Sequence, residues 1–206
     1  MPVLVVANPK GGAGKSTLAT QIAGYWASRG HKVILGDADR QQSSRLWLSL
    51  RGPALPPITG WKIGPDAVAR VPEGVTHAVI DTPAGLHGRR FDELLRAADR
   101  LLVPVQASVF DIYAAQEFLD RVAGERKLQG LRMGLVGMRV DERTRAAEQL
   151  REFLQRQAVP LLGMLRPTTN YAHMAAQGLS LWDLHPPQVE RDLQQWKGIT
   201  DWLDRG

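Results

Sequence analysis

NPKGGAGKST, residues 8–17, decides how the rest of this chain is read. It follows the apolar run PVLVVA and precedes STLATQIAGYWASRG, so a glycine-rich turn joins a buried strand to an amphipathic helix. Gly11, Gly12, Ala13 and Gly14 can turn successive backbone N–H groups inward around a phosphate, and the helix adds the positive end of its dipole. In such a loop Lys15 offers a point charge to the β- and γ-phosphate oxygens, Ser16 a hydroxyl to Mg2+ and Thr17 a donor near the α-phosphate. Counted against G-x-x-x-x-G-K-[ST], the first position is Pro9 rather than glycine, and an additional lysine, Lys10, stands upstream of the glycines.

Outward from this loop the same alternation repeats. Short apolar runs in KVILGDAD, THAVIDTP, RLLVPVQ, RMGLVGMRV and PLLGML have the composition of strands buried on both faces. Helices are expected near 15–29, 43–50, 88–99, 111–127, 143–157, 171–177 and 187–204. The class is α/β, a mostly parallel twisted sheet flanked by helices, in the fold of the P-loop NTPases. Segment 51–75 is rich in proline and glycine and reads as loop with at most one short helix. Residues 1–206 read as a single domain, a length that suits one sizeable core.

Two strand ends carry the acids that such a loop needs. Asp81 closes the run in THAVIDTP, as a carboxylate holding Mg2+ through water would. Asp37 and Asp39 end KVILGDAD two positions apart, on one side of an extended chain. Either can serve the metal's water shell or position the attacking water, and either can instead close a turn or cap a helix before Ser43 and Ser44.

Composition narrows the classes. The absence of cysteine excludes disulfides, thiolate metal sites and cysteine-held iron–sulfur clusters, and suits a reducing cytoplasm. No apolar run reaches the roughly 18 residues needed to span a bilayer. The N-terminus reads as a buried strand rather than a signal peptide. Lys plus Arg outnumber Asp plus Glu by 26 to 21, a net +5 that favours polyanionic partners modestly.

KGGAGKST, GDADRQQSS and VIDTPAG resemble, in order and spacing, the nucleotide motifs of the ParA/MinD family of deviant Walker ATPases, and the chain's length resembles the small ParA type. The resemblance implies ATP and Mg2+ as ligands and a nucleotide-sandwich homodimer that slowly hydrolyses ATP to ADP and phosphate. Lys10 would be the signature lysine reaching the partner's ATP and Lys15 the lysine acting within its own loop. Ser16 would ligate Mg2+, Asp39 orient the attacking water, and Asp37 and Asp81 hold the metal's water shell. Like-charge crowding agrees with separate roles for the two lysines. MRVDERT and LRPTTNYAHMAAQG resemble the family's base-binding segments, so Met138, Arg139, Arg166, Pro167 and Thr168 become candidates for adenine contact.

The chain also departs from the family. Arg40 stands where a proline usually follows the second acid, DTPAG replaces a form with two prolines, and Asn170 occupies a position that is often basic.

ParA-type function implies nonspecific DNA binding in the ATP state, hence nucleoid association, and a ParB-like or other adaptor protein that stimulates the ATPase. Arg166, Arg191, Lys197 and Arg205 are candidate phosphate contacts. A MinD-like alternative would place 187–204 on a membrane surface. Its apolar stripe, Val189, Leu193, Trp196, Ile199 and Leu203, would suit that, but its acids outnumber its bases, which favours core packing. An ATP-dependent metabolic enzyme is the remaining alternative, against which Lys10 argues.

Overall fold

The computed structural model describes residues 2–63, 71–85, 88–128 and 130–205. Among these residues seven strands form one parallel sheet: β1 (Val3–Val6), β2 (Val33–Asp37), β3 (Ile58–Trp61), β4 (His77–Asp81), β5 (Arg100–Gln106), β6 (Arg132–Met138) and β7 (Leu161–Met164). Their spatial order is β3-β2-β4-β1-β5-β6-β7. The chain runs outward from β1 to β3, returns at β4, then crosses to β5 on the other side of β1. That change of direction opens a crevice at the carboxyl ends of the central strands, where open α/β sheets bind ligands.

The helices are α1 (Lys15–Ser28), α2 (Ser43–Leu50), α3 (Arg89–Arg96), α4 (Val109–Gly124), α5 (Arg145–Arg156), α6 (Asn170–Ala175) and α7 (Pro186–Asp204). Local chemistry sets several of their ends. Ser108 and Thr144 cap α4 and α5 by accepting the Asp111 and Ala147 N–H groups. Prolines open α7, where a missing N–H costs nothing. Gly30, at φ 82°, ends α1 in a Schellman arrangement: His31 donates to the Trp26 carbonyl and Gly30 to that of Ala27.

Alternate residues of each strand supply two cores. Leu4, Val6 and Leu35 pack with α1 and α7, including fully buried Trp26, Trp196 and Ile199. Val3, Val5 and Ile34 face the other way, onto Phe91, Phe118 and Leu150 of α3, α4 and α5. The apolar stripe of α7 is therefore core: Val189, Trp196, Ile199 and Leu203 are each at most 3% exposed. Among the described residues no helix is long and apolar enough to cross a membrane.

The sheet corrects one expectation. Segment 51–75, read as loop with at most one short helix, contributes β3, an edge strand in parallel register with β2 from Val33↔Ile58 to Gly36↔Trp61. Its sequence, ITGW, is short, contains glycine and is only half-buried, so no local signal marks it. Pairing with β2 makes it a strand. Residues 64–70 of that segment lie outside the described residues.

Candidate nucleotide site

Strand register assembles the site. Val6 and Asp37 both lie opposite Asp81, so β1, β2 and β4 end at one level and their following residues share the carboxyl edge. The loop after β1 is held in shape at several points. Asn8 donates its amide to the Pro104 carbonyl at 2.6 Å and accepts the Lys10 N–H at 2.7 Å. Gly85 donates to the Pro9 carbonyl, and the Gln106 amide to that of Gly12 at 2.6 Å.

With the carbonyls so engaged, the N–H groups of Gly11, Gly12, Ala13 and Gly14 have no acceptor among the described residues. They lie against the first turn of α1, whose own N–H groups lack intrahelical partners. This is a concave set of donors suited to phosphate oxygens. Gly14 occupies φ 98°, a backbone conformation that favours glycine, and a Cβ there would lie 2.6 Å from the Met138 methyl, which would have to move aside.

The two lysines occupy different environments. Lys15 is 7% exposed, and its ammonium donates to the Lys10 carbonyl at 2.7 Å. Burial lowers its pKa, against which Asp81 and Asp39 act. The Lys10 side chain is partly exposed and makes no hydrogen bond or ion pair among the described residues. One cation thus lies inside the cradle and the other at its rim.

The three acids also differ. Asp81 is fully buried; one carboxylate oxygen accepts the Ser44 hydroxyl at 2.8 Å, and Oδ1 has no hydrogen-bond partner. Burial pushes its pKa up to about 6, opposed by the Ser16 and Ser44 hydroxyls and by Lys15, with Asp37 adding to the rise.

Asp37 accepts the N–H groups of Asp39 and Arg45, both at 3.0 Å, and so closes the turn and satisfies the first turn of α2. Asp39 accepts the Gln41 N–H at 3.0 Å and is half-buried. Arg40 is exposed and unpaired among the described residues.

These residues fit Mg2+ and a nucleotide triphosphate. A buried carboxylate oxygen without a donor, beside a serine hydroxyl and an N–H cradle, is what a hydrated hard cation on phosphates requires. Ser16 would touch the metal, and Asp81 would receive its bound water. Ser44, Gln106 and Asn8 complete the site although sequence reasoning assigned them no part. The signals were present: a polar residue closing an apolar strand at Gln106, and an Asx residue opening a turn at Asn8.

The base-contact candidates continue along the same edge. Met138, 3% exposed, packs against Gly14, and Arg139 follows at φ 53°, a left-handed conformation that is costly for a side chain of this size. Val140 donates to the Leu165 carbonyl at 2.8 Å, which brings the Arg166–Thr168 loop alongside. Pro167 is exposed, and the Thr168 hydroxyl accepts the Asn170 N–H. Arg166 is committed elsewhere: its guanidinium bonds both oxygens of fully buried Asp192 at 2.7 and 3.2 Å, and Asn170 adds a third bond at 2.7 Å.

Of the other basic candidates, Lys197 pairs with Asp201 one helical turn on, at 2.8 Å. Arg191 is exposed in the second turn of α7 and Arg205 just past its last residue, roughly 20 Å apart along its axis.

A cavity of about 860 Å3 lies at the other edge of the sheet, among Arg29, Arg96, Arg100, Arg132, His31 and His77. The carboxyl ends of α1, α3 and α7 converge on it, and Arg100 and Arg132 donate to the carbonyl oxygens that close α7. These arginines answer helix carbonyls and negative dipole ends, a setting opposed to polyphosphate.

Residues 4–181 match the model of the CobQ/CobB/MinD/ParA nucleotide binding domain. The chain is 27% identical to the maintenance of carboxysome distribution protein A of Gloeobacter kilaueensis, over 98% of this chain and 94% of that one. It is 28% identical to the chromosome-partitioning ATPase Soj of Thermus thermophilus, over 71% of this chain and 73% of that one. Among solved structures, an ATP complex of a Cyanothece McdA variant superposes with a TM-score of 0.70 at 19% identity, covering 97% of this chain and 96% of that one.

Proposed function

The chain belongs to the CobQ/CobB/MinD/ParA nucleotide-binding domain family, and from that premise we propose that it is a ParA-like positioning ATPase. It binds Mg-ATP, dimerises around the nucleotide, associates with nonspecific DNA and is released by slow hydrolysis. The observation that carries this reading is the division between the lysines: Lys15 buried within its own cradle, and the Lys10 ammonium at the rim with no partner among the described residues.

In this mechanism the N–H groups of Gly11–Gly14 and the Lys15 ammonium bind the phosphates. Ser16 would hold Mg2+ through its hydroxyl, and Asp81 and Asp37 through bound water; when bound, the metal would supply charge neutralisation at the phosphoryl group. Asp39 orients the attacking water. Lys10 of a second copy neutralises charge that grows on the phosphoryl oxygens, as an arginine finger does. Met138, Arg139, Pro167 and Thr168 border the base, with Arg166 holding their loop in place.

DNA binding in the ATP state draws on Arg191 and Arg205, with Lys197 exchanging Asp201 for phosphate at little cost. An adaptor protein of the ParB kind stimulates hydrolysis. The cycle alternates between a cytoplasmic monomer and a nucleoid-associated dimer, and the names of the relatives support a protein assembly or a DNA locus as cargo. A MinD-like membrane helix is disfavoured because the apolar stripe of α7 is already buried.

The test is a set of single variants. Lys15→Ala abolishes nucleotide binding, while Lys10→Ala keeps it and loses dimerisation or turnover. Asp39→Ala with ATP accumulates as a DNA-bound dimer. Should that variant stay monomeric by light scattering and leave DNA unshifted at low salt, the reading fails.

A further inference from the structure

Five large apolar side chains are strongly exposed among the described residues: Leu46 and Leu50 on α2, and Val109, Phe110 and Tyr113 on α4. Phe110 and Tyr113 are 77% and 69% exposed, which is unusual for aromatic residues of a water-facing surface. Together the five present on the order of 500 Å2 of apolar surface, more than half of the ~800 Å2 that each partner contributes to a standard interface.

Both helices are tied at their first turns to the nucleotide site. On α2, Ser44 donates to Asp81 and the Arg45 N–H to Asp37. On the other side Gln106, two residues before the Ser108 cap of α4, donates to the Gly12 carbonyl. The apolar side chains thus flank the phosphate loop on helices that the loaded site would orient.

Their charges are complementary rather than alike. Helix α2 contains no acid and exposes Arg45, with Arg40 just before it. On α4 the exposed stripe of Phe110 and Tyr113 continues at helical spacing to Glu117 and exposed Asp120. Pairing α4 with α4 would set acid against acid; pairing α2 with α4 satisfies both.

We infer that these two faces form a self-complementary interface, in which α2 of one copy packs on α4 of a second copy of this chain and reciprocally across a twofold axis. The inference rests on the reading of the chain as an ATP-dependent dimer and assigns the side chains that hold that dimer outside the nucleotide itself.

Sedimentation velocity of the full chain with Mg2+ and a non-hydrolysable ATP analogue tests it, with a fluorescent ATP analogue reporting nucleotide affinity. Phe110→Asp raises the dimer dissociation constant at least tenfold and leaves nucleotide affinity of the monomer unchanged. Arg45→Glu and Glu117→Arg each weaken the homodimer at low salt, whereas their equimolar mixture restores it, because both reciprocal contacts then join opposite charges. Undiminished dimerisation of Phe110→Asp overturns the interface. Weakened single variants whose mixture stays monomeric overturn the reciprocal pairing. A parent chain that never dimerises with the analogue overturns the functional reading instead.

Discussion

Replacing Arg166 with alanine separates two roles for one residue. Its guanidinium makes two bonds to Asp192, whose side chain is 1% exposed against 26% for Arg166. Removing one partner of a buried pair strands the other charge, at a cost of about 3–5 kcal/mol. Arg166 is partly in water and Asn170 still reaches Asp192 at 2.7 Å, so the lower end applies, about 3 kcal/mol. For a chain of this length that lowers the melting temperature by roughly 6–12 °C.

Equilibrium unfolding in urea measures the loss, with an unchanged m-value as the check that the native state is intact. Arg166→Met combined with Asp192→Leu should recover most of it, since no charge is then left buried. A loss below about 1 kcal/mol, accompanied by abolished DNA binding, would refute the anchoring role and return Arg166 to the surface.

Three further outcomes are expected. Gly14→Ala forces a left-handed residue against the Met138 methyl 2.6 Å away, and should cost about 1–3 kcal/mol and at least tenfold in nucleotide affinity by titration calorimetry; unchanged affinity would mean that Met138 yields freely. Asp81→Asn should stabilise the metal-free protein at pH 7 by up to about 3 kcal/mol, because a folded pKa of about 6 against 3.8 penalises the ionised form. That gain is complete above about pH 6 and absent below about pH 4, and the variant should lose Mg2+-dependent nucleotide affinity.

His77 has the opposite sign. Its pKa is lowered to about 4, chiefly by burial and then by His31 and Arg100, so the unfolded chain binds the proton first as pH falls from 6.5. Stability should therefore drop between about pH 6.5 and 4, and His77→Asn should remove about 1–2 kcal/mol of that drop, the ring's partial exposure roughly halving the full effect. Identical pH profiles of the two proteins would place the titration elsewhere.

Much of this molecule is local in origin and hence legible in the chain. The turn at Gly11–Gly14 is marked by its own composition, and the apolar runs around it are long enough to declare buried strands. The position of an acid at the close of two of those runs, Asp37 and Asp81, is likewise local, but the two meet only because β2 and β4 pair in parallel register. The alternating charges and apolar face of α5 likewise specify its burial, with Leu150 and Leu154 inside and Arg156 paired to Glu152 outside.

What the chain alone left open was decided by contacts between residues distant in sequence. Strand β3 exists because β2 offers it an edge. Asp37 closes the first turn of α2 because that helix starts within reach of its carboxylate. Arg166, one cation among many when read linearly, is drawn to Asp192 because α7 buries that acid 26 residues away and a buried carboxylate must find donors. The sequence by itself determined a glycine turn followed by a helix start, since these need only their own residues, whereas Pro104, Gly85 and Gln106 hold that turn in shape from far along the chain. Which lysine lies inside it and which acid is left with a free oxygen depended on burial, which only the assembled sheet and helices impose.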